Sequence, residues 1–205
     1  MPILKLRKSG ILVASNNEHK IKEIVDLLSP YAIPVFSPKE MGIELVVEET
    51  GTTFFENAKL KAEAYYHIAR IPTIADDSGL EVDALNHEPG VYSSIYGGVS
   101  LNQNQRNQYL LEKMKNVAHY LRTARFVCVI AFKWSEHEPV QFYEGITEGR
   151  IIYQPRGSHG FGYDPIFEEY TTKKTFAEMT LEEKNQISHR AKALRNFLNH
   201  LLRTS

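Results

Sequence analysis

The chain has 205 residues, of which 42% are hydrophobic and 24% charged, and its formal net charge is −1. A chain of this length and composition can bury a substantial interior as one domain, or as one core divided into two lobes. The charge near zero argues against general binding to nucleic acids or anionic membranes, and the single cysteine, Cys128, excludes an intramolecular disulfide and a cysteine-based zinc site.

Residues 1–10 are basic and precede the first apolar segment, so we interpret them as an N-terminal extension of a single domain at residues 11–205. The extension lacks the long apolar region of a secretory signal. No other apolar segment approaches the length of a membrane span. We therefore expect a cytoplasmic protein.

A short apolar strand, Ile11–Ala14, is followed by a polar turn and by a helix with apolar residues at helical spacing. The start of such a helix presents backbone N–H groups to anions. His19 and Lys20 lie in its first turn, although the helix dipole disfavours positive charge there. Two interpretations remain open: solvated surface cations, or partners of a bound anion that Ser15 and Asn17 would also contact.

Two more short strands are predicted after this helix. Ile33–Phe36 contains a proline, which favours the edge of a sheet. Ile43–Val47 alternates at the strand period and ends in the acidic pair Glu48–Glu49. We therefore expect an acidic strand end at this point.

The next predicted element is a helix that begins at the capping-box pattern Thr53–Glu56 and reaches about Arg70. Asn57 and Lys61 are four residues apart, so they share a side of this helix. An exposed face is the simplest expectation for both.

Two adjacent carboxylates, Asp76 and Asp77, follow the apolar run Ile71–Ala75 and precede the turn signal Ser78–Gly79. The pattern predicts an acidic pair at a strand end, which suits a hard cation or a general base. Acidic pairs of this kind are more often solvated turn residues. The functional interpretation therefore depends on partners elsewhere in the chain.

Regular elements continue with a third helix over about Leu101–Asn116 and strands at Phe126–Phe132 and Val140–Ile146. The short polar segment between the two strands predicts that they pair antiparallel. Cys128 lies in the first of them and is expected to be a buried core residue.

The segment Arg156–Pro165 combines three glycines with Phe161, Tyr163 and Asp164. This composition suits close approach of the backbone to a ligand and aromatic stacking. As a plain loop it would expose two aromatic rings to water, so we favour a role in ligand binding.

A second capping box, Thr180–Glu183, predicts one C-terminal helix with Lys184, His189 and Arg190 in its first turns. Cations are again placed where the helix dipole disfavours them. Individually such residues are usually on the surface. Together with Lys20 they suggest a polyanion between two helix starts.

Acidic side chains that hold Mg²⁺, with lysine, asparagine and serine donors around phosphates, are the arrangement that phosphate-ester chemistry requires. The sequence supplies both sets and an aromatic loop that could stack on a base. It contains neither the P-loop motif nor a dinucleotide-binding glycine motif. The residues alone therefore predict a Mg²⁺-dependent nucleotide hydrolase.

Seven short motifs occur in order: Ser15-x-Asn17-x-x-Lys20, Glu48-Glu49-Thr50-Gly51, Glu56-Asn57-Ala58-x-x-Lys61-Ala62, Ala75-Asp76-Asp77-Ser78-Gly79-Leu80, Pro89-Gly90-Val91-Tyr92-Ser93, Gly160-Phe161-Gly162-Tyr163-Asp164-Pro165 and Glu183-Lys184-Asn185-x-Ile187-Ser188-His189-Arg190. With them the chain resembles the Ham1 family of inosine/xanthosine triphosphate pyrophosphatases from Ile11 to Leu202. Each motif alone is weak, but seven in one order are specific.

The resemblance implies an α/β fold with two lobes around a long mixed β-sheet flanked by helices, and an active site in the cleft between the lobes. It implies cleavage between the α- and β-phosphates of non-standard purine nucleoside triphosphates (ITP, dITP, XTP), which cleanses the nucleotide pool. It also implies Mg²⁺ as cofactor and a homodimer, with no nucleic-acid or membrane partner.

The resemblance also assigns residues. Glu49 and Asp77 would bind Mg²⁺, and Asp77 would activate the attacking water. The triphosphate would be held by Ser15, Asn17 and Lys20, with Lys61 as an aid. Lys184, His189 and Arg190 would donate to the base. The full substrate-binding set is Ser15, Asn16, Asn17, Glu18, His19, Lys20, Ser78, Phe161, Gly162, Tyr163, Asp164, Lys184, His189 and Arg190.

Two positions depart from the family pattern: Ile95 stands where many relatives have an arginine, and His159 stands where small or variable residues are common. Neither removes a phosphate contact or metal ligand. Two other functions remain open. One is a non-catalytic nucleotide sensor, against which Glu49 and Asp77 argue, and the other is an enzyme for different nucleotides such as modified pyrimidines.

Overall fold

The computed structural model describes residues 2–203; Met1, Thr204 and Ser205, the outer ends of the predicted extension and domain, lie outside the described residues. The described strands are β1 (Ile11–Val13), β2 (Val35–Phe36), β3 (Thr73–Val82), β4 (Thr123–Lys133), β5 (Gln141–Ile151) and β6 (Phe167–Glu169). The described α-helices are α1 (Pro2–Ser9), α2 (Glu18–Leu28), α3 (Phe54–Ala69), α4 (Gln103–Lys113), α5 (Leu181–Ile187) and α6 (His189–Arg203).

The strands form one sheet in the order β2-β1-β3-β4-β5-β6. Strand β1 pairs parallel with β2 and with β3, whereas β5 and β6 pair antiparallel. The sheet is therefore mixed and has flanking helices, as expected for the α/β class. β2 lies at the edge, as its proline predicted, and β4 and β5 are neighbours.

The chain divides into two compact units. Within the described residues, unit 1 contains the chain up to Asp77, the segment Cys128–Gly145 and everything from Arg190 onward. Unit 2 contains Ser78–Val127 and Ile146–His189. Each unit has its own buried apolar cluster.

The core of unit 1 combines strand residues such as Ile74 and Ile130 with Phe197 of α6. Helix α1 adds Ile3 and Leu6 to this core. The segment interpreted as an extension is therefore a helix that packs against the unit. In unit 2 the core is formed mainly by aromatic and aliphatic side chains: Leu80, Leu110, Phe126, Ile151, Phe167 and Phe176.

The predicted strand end at Asp76–Asp77 is wrong, because β3 runs through both residues and through Ser78–Gly79 to Val82. Leu80 and Val82 are fully buried and continue the strand. The Leu80 N–H also donates to Ser93 Oγ at 2.9 Å. The two carboxylates consequently lie in the middle of a buried strand.

The predicted strand Ile43–Val47 is also wrong, since these residues form no regular element. Val46 is 90% exposed. The Leu45 carbonyl accepts from the Tyr65 hydroxyl at 2.7 Å, so a side chain of α3 holds this segment. Glu48–Glu49 therefore ends no strand.

The single C-terminal helix that we predicted is divided into α5 and α6. The capping box of Thr180 and Glu183 is present at the start of α5. Ser188, however, is buried with extended backbone at φ −66° and ψ 155°, which ends α5 after two turns. His189 and Arg190 therefore begin a helix of their own.

No helix within residues 2–203 combines the length and apolar character needed to cross a membrane.

We predict that Leu6→Ala lowers the free energy of unfolding by about 2–5 kcal/mol, because it removes a fully buried side chain from the unit 1 core. Leu4→Ala is the matched control, because Leu4 lies on the same helix and is 46% exposed. Its effect should stay within about 0.5 kcal/mol. Urea unfolding of both variants makes the comparison, and equal effects would show that α1 does not contribute through its buried face.

Candidate active site

The turn between β1 and α2 is built by its own side chains. Asn17 is the N-cap of α2, and its Oδ1 accepts from the N–H groups of His19 (3.0 Å) and Lys20 (3.2 Å). The Asn17 N–H donates to Ser15 Oγ at 3.1 Å. Because Asn17 already satisfies two of the N–H groups at this helix start, side chains become the main donors available to an anion here.

The other predicted substrate residues of this turn, Asn16, Glu18 and His19, are exposed. Lys20 is half-buried, and its ammonium pairs with Asp76 Oδ1. The cation at this helix start thus has an internal carboxylate partner, which neither of the two open interpretations had included.

Asp76 lies in a buried cluster of charges within unit 1. Its Oδ2 accepts from Arg190 Nε at 3.0 Å and from the Cys128 thiol at 2.9 Å. Arg190 also pairs through Nη1 with Glu23, and both side chains are almost fully buried. Burial alone would raise the pKa of Asp76, but Arg190 and Lys20 hold it well below its ordinary value.

Asp77 has a different set of partners, because successive side chains on a strand point to opposite faces. Its Oδ1 accepts from Lys61 Nζ at 2.8 Å, and the same ammonium lies 2.9 Å from Glu49 Oε1. Asp77 is only 5% exposed, and its Oδ2 has no hydrogen-bond partner among residues 2–203. Burial raises the pKa of Asp77 to about 6, despite the opposing effect of Lys61 and Lys20.

Burial would lower the pKa of Lys61, but the attraction of Asp77 and Glu49 for its charge outweighs this effect and raises the pKa above the ordinary value.

Glu49 comes within reach of Lys61 because Asn57 fixes the loop that carries Glu49: Asn57 Oδ1 accepts from the Gly51 N–H at 2.8 Å. Asn57 is buried. The expectation that Asn57 is exposed was therefore wrong.

Glu49 and Asp77 are the two acidic side chains of this site that could hold a hard cation. Both carboxylates already converge on one positive centre, the Lys61 ammonium, and Asp77 Oδ2 is an acceptor without a partner among the described residues. Within residues 2–203 no group of three or more His, Cys, Asp or Glu side chains could hold a metal. Two carboxylates suffice for Mg²⁺, which completes its shell with water and phosphate oxygens.

The glycine-aromatic loop belongs to unit 2 and is organised by Asp164. Its Oδ2 accepts from the Phe161 N–H at 2.9 Å and from Lys184 Nζ at 2.6 Å. Lys184 also lies over the Phe161 ring, 4.9 Å from its centroid. The lysine, the aromatic ring and the aspartate are thus one connected group.

Tyr163 and His189 are held by neighbours in the same unit. The buried Tyr163 hydroxyl donates to the Ser93 carbonyl at 2.9 Å, and burial raises the pKa of Tyr163 above its ordinary value. His189 stacks on Phe126 with ring centroids 4.7 Å apart and an angle of 10° between planes. Ser78 follows Asp77 in β3 and is half-buried.

Lys184, His189 and Arg190 are all buried, so the expectation that such residues lie individually on the surface was wrong. The helix break at Ser188 and the carboxylate partners of Lys184 and Arg190 account for their burial. Without these carboxylates, the loss of hydration would make burial of either cation too unfavourable.

Residues 11–200 of the chain match the Ham1 family. The chain belongs to the Ham1 family. It is 44% identical over 196 residues to a dITP/XTP pyrophosphatase of Clostridium perfringens, covering 93% of this chain and 96% of that protein. A dITP/XTP pyrophosphatase of Thermus thermophilus is 45% identical over 193 residues, covering 94% and 92%. The solved structure of a HAM1 protein from Coxiella burnetii matches with a TM-score of 0.85 and 41% identity, covering 96% of this chain and 99% of that one.

Sequence reasoning missed several members of this candidate site. Glu23 and Cys128 complete the cluster around Asp76, and Asn57 places the loop of Glu49. Each lies in a regular element next to core residues, where the pattern predicts packing rather than charge pairing. The burial of Glu23 on the apolar side of α2 would have indicated a charged partner in the interior. A single sequence does not show burial, so this signal could not be used.

We predict that Arg190→Ala lowers the free energy of unfolding by about 3–5 kcal/mol, because Asp76 and Glu23 would be left buried without their guanidinium partner. Arg203→Ala, on the exposed end of the same helix, should change it by less than about 0.5 kcal/mol. Chemical denaturation of the two variants tests this, and a loss below about 1 kcal/mol for Arg190→Ala would argue against the buried cluster.

Proposed function

We propose that this protein hydrolyses non-standard purine nucleoside triphosphates such as ITP, dITP and XTP to the monophosphate and pyrophosphate. Its Ham1 membership and the dITP/XTP pyrophosphatases among its relatives support the reaction class. The single observation that carries the proposal is Asp77: a buried carboxylate with an oxygen that has no hydrogen-bond partner among residues 2–203, beside a second acid and a lysine.

Asp77 suits the role of general base. A base is most effective when its pKa lies near the working pH, and burial raises the pKa of Asp77 to about 6. At pH 7 the carboxylate is therefore still ionised and can accept a proton. Lys61 holds Oδ1, so Oδ2 is the oxygen we assign to the attacking water.

We further propose that Glu49 and Asp77 hold Mg²⁺ when substrate is bound. Mg²⁺ would supply positive charge to the phosphate oxygens and so favour attack at the anhydride. The side chains of Ser15, Asn17 and Lys20 would bind the triphosphate. The Lys20 ammonium, which now pairs with Asp76, would then bind a phosphate oxygen in place of this carboxylate or in addition to it.

For the base, we propose that Phe161 stacks on the purine and that Lys184 and His189 act as donors to its 6-oxo group. A donor at this position pairs with the carbonyl of hypoxanthine or xanthine but faces the amino group of adenine. Arg190 is engaged by Asp76 and Glu23, so we assign it to holding Asp76 rather than to contacting the base.

A nucleotide sensor would have no use for a base-like carboxylate such as Asp77, so hydrolysis is the better explanation of the site. Residence in the cytoplasm, a homodimer, and the absence of nucleic-acid or membrane partners stay predictions. The resemblance and the composition suggest them.

The proposal is tested by measuring pyrophosphate release from ITP, dITP, XTP, GTP, ATP and dUTP in the presence of Mg²⁺. We expect turnover of the first three and much slower turnover of ATP. No turnover of any nucleotide would overturn the enzymatic function. Turnover of ATP equal to that of ITP would overturn the proposed recognition of the 6-oxo group.

We predict that Asp77→Asn lowers kcat for ITP by about 10²-fold or more, because the amide cannot accept the proton of water. Binding of ITP in the absence of Mg²⁺, followed by calorimetry, should survive because the phosphate and base donors are unchanged. Glu48→Gln is a suitable control, since Glu48 is an exposed acid next to Glu49. Substantial residual turnover by Asp77→Asn would remove Asp77 from the role of base.

A further inference from the structure

We propose that Asn107 of α4 is a positioning residue for the loop Arg156–Pro165, and that it sets the KM and base selectivity of the enzyme through the Gly162 peptide. The inference rests on the proposed function, because it assigns the loop to purine binding. It adds Asn107 to the residues that control this loop, although Asn107 lies in helix α4, 55 positions before Gly162 in the sequence.

Asn107 is only 3% exposed, although its neighbours Asn104 and Gln108 on the same helix are exposed. Its Nδ2 donates to the Gly162 carbonyl at 3.0 Å. Its Oδ1 is buried and has no hydrogen-bond partner within the described part of the chain. A buried amide with one unsatisfied oxygen is a poor choice for stability alone, so the bond to Gly162 is the feature that asparagine provides at this position.

The loop needs such a bond because its backbone is intrinsically permissive. Gly160 and Gly162 adopt φ of +73° and +62°, a region that glycine enters without steric cost. Nothing would lie within 4 Å of a Cβ at Gly162, so packing does not fix this residue. Hydrogen bonds must therefore select one conformation of the Phe161–Gly162 segment.

Two of these bonds hold the residues around Gly162. Asp164 accepts from the Phe161 N–H on one side, and on the other side the Tyr163 hydroxyl donates to the Ser93 carbonyl. Asn107 acts on the carbonyl of Gly162, between Phe161 and Tyr163. Loss of this bond lets the Gly162 peptide rotate, and rotation displaces the Phe161 ring from Lys184. Substrate affinity should fall, whereas the protonation chemistry of Asp77 should not change.

The test compares Asn107→Ala and Asn107→Leu with the control Asn104→Ala. Leucine conserves volume but cannot donate to the Gly162 carbonyl. Both Asn107 variants should raise KM for ITP about tenfold, which corresponds to the loss of roughly one hydrogen bond, and leave kcat within about twofold. The ratio of kcat/KM for ITP to that for ATP should fall, and Asn104→Ala should match the wild type.

A folded Asn107→Leu variant with unchanged KM and selectivity would overturn the inference, as would a loss confined to kcat. Gly162→Ala provides an independent check if the Asn107 variants do not fold, because it strains the left-handed backbone without a steric clash. It should also raise KM with kcat preserved, and a wild-type KM would contradict the inference. If the wild type itself turns over no nucleotide, the proposed function fails instead.

Discussion

Two adjacent carboxylates, Asp76 and Asp77, are buried in the middle of strand β3, and this constraint organises the chemistry of unit 1. Burial of a carboxylate is tolerated only when cations and donors replace water. Asp76 receives a guanidinium, an ammonium and a thiol, whereas one oxygen of Asp77 lacks a partner among the described residues. The strand therefore contains one carboxylate that anchors and one that is available for chemistry.

The anchoring carboxylate determines much of its surroundings. Arg190, in the first turn of α6, and Lys20, in the first turn of α2, both pair with Asp76, so two helix starts are connected through this carboxylate. Arg190 also pairs with Glu23 farther along α2. Buried ion pairs of this kind add little net stability relative to an apolar core but are costly to break. Their consequence here is positional, because they fix the strand on which Asp77 is carried.

Local signals in the sequence predicted much of the fold. The strand, turn and helix after Ile11, the capping boxes at Thr53 and Thr180, and the edge strand β2 all depend on residues within a few positions of one another. Long-range pairings could not be predicted in this way. Glu23 and Arg190 are 167 positions apart, and the sequence carries no pattern that joins them. The strand end at Asp77 was mispredicted for the same reason, since Ser78–Gly79 favours a turn locally and burial of Leu80 overrides it.

The division of roles between the two carboxylates is tested most directly by the free energies of unfolding of Asp76→Asn and Asp77→Asn at pH 7. Asp76→Asn should lower it by about 3–5 kcal/mol, because Arg190 and Lys20 lose a buried anion. Burial raises the pKa of Asp77 from 3.8 to about 6, so stability is lost as the pH rises through this value, and the charge is unfavourable at pH 7. Asp77→Asn should therefore leave stability unchanged or raise it. A loss as large as that of Asp76→Asn would contradict the division of roles.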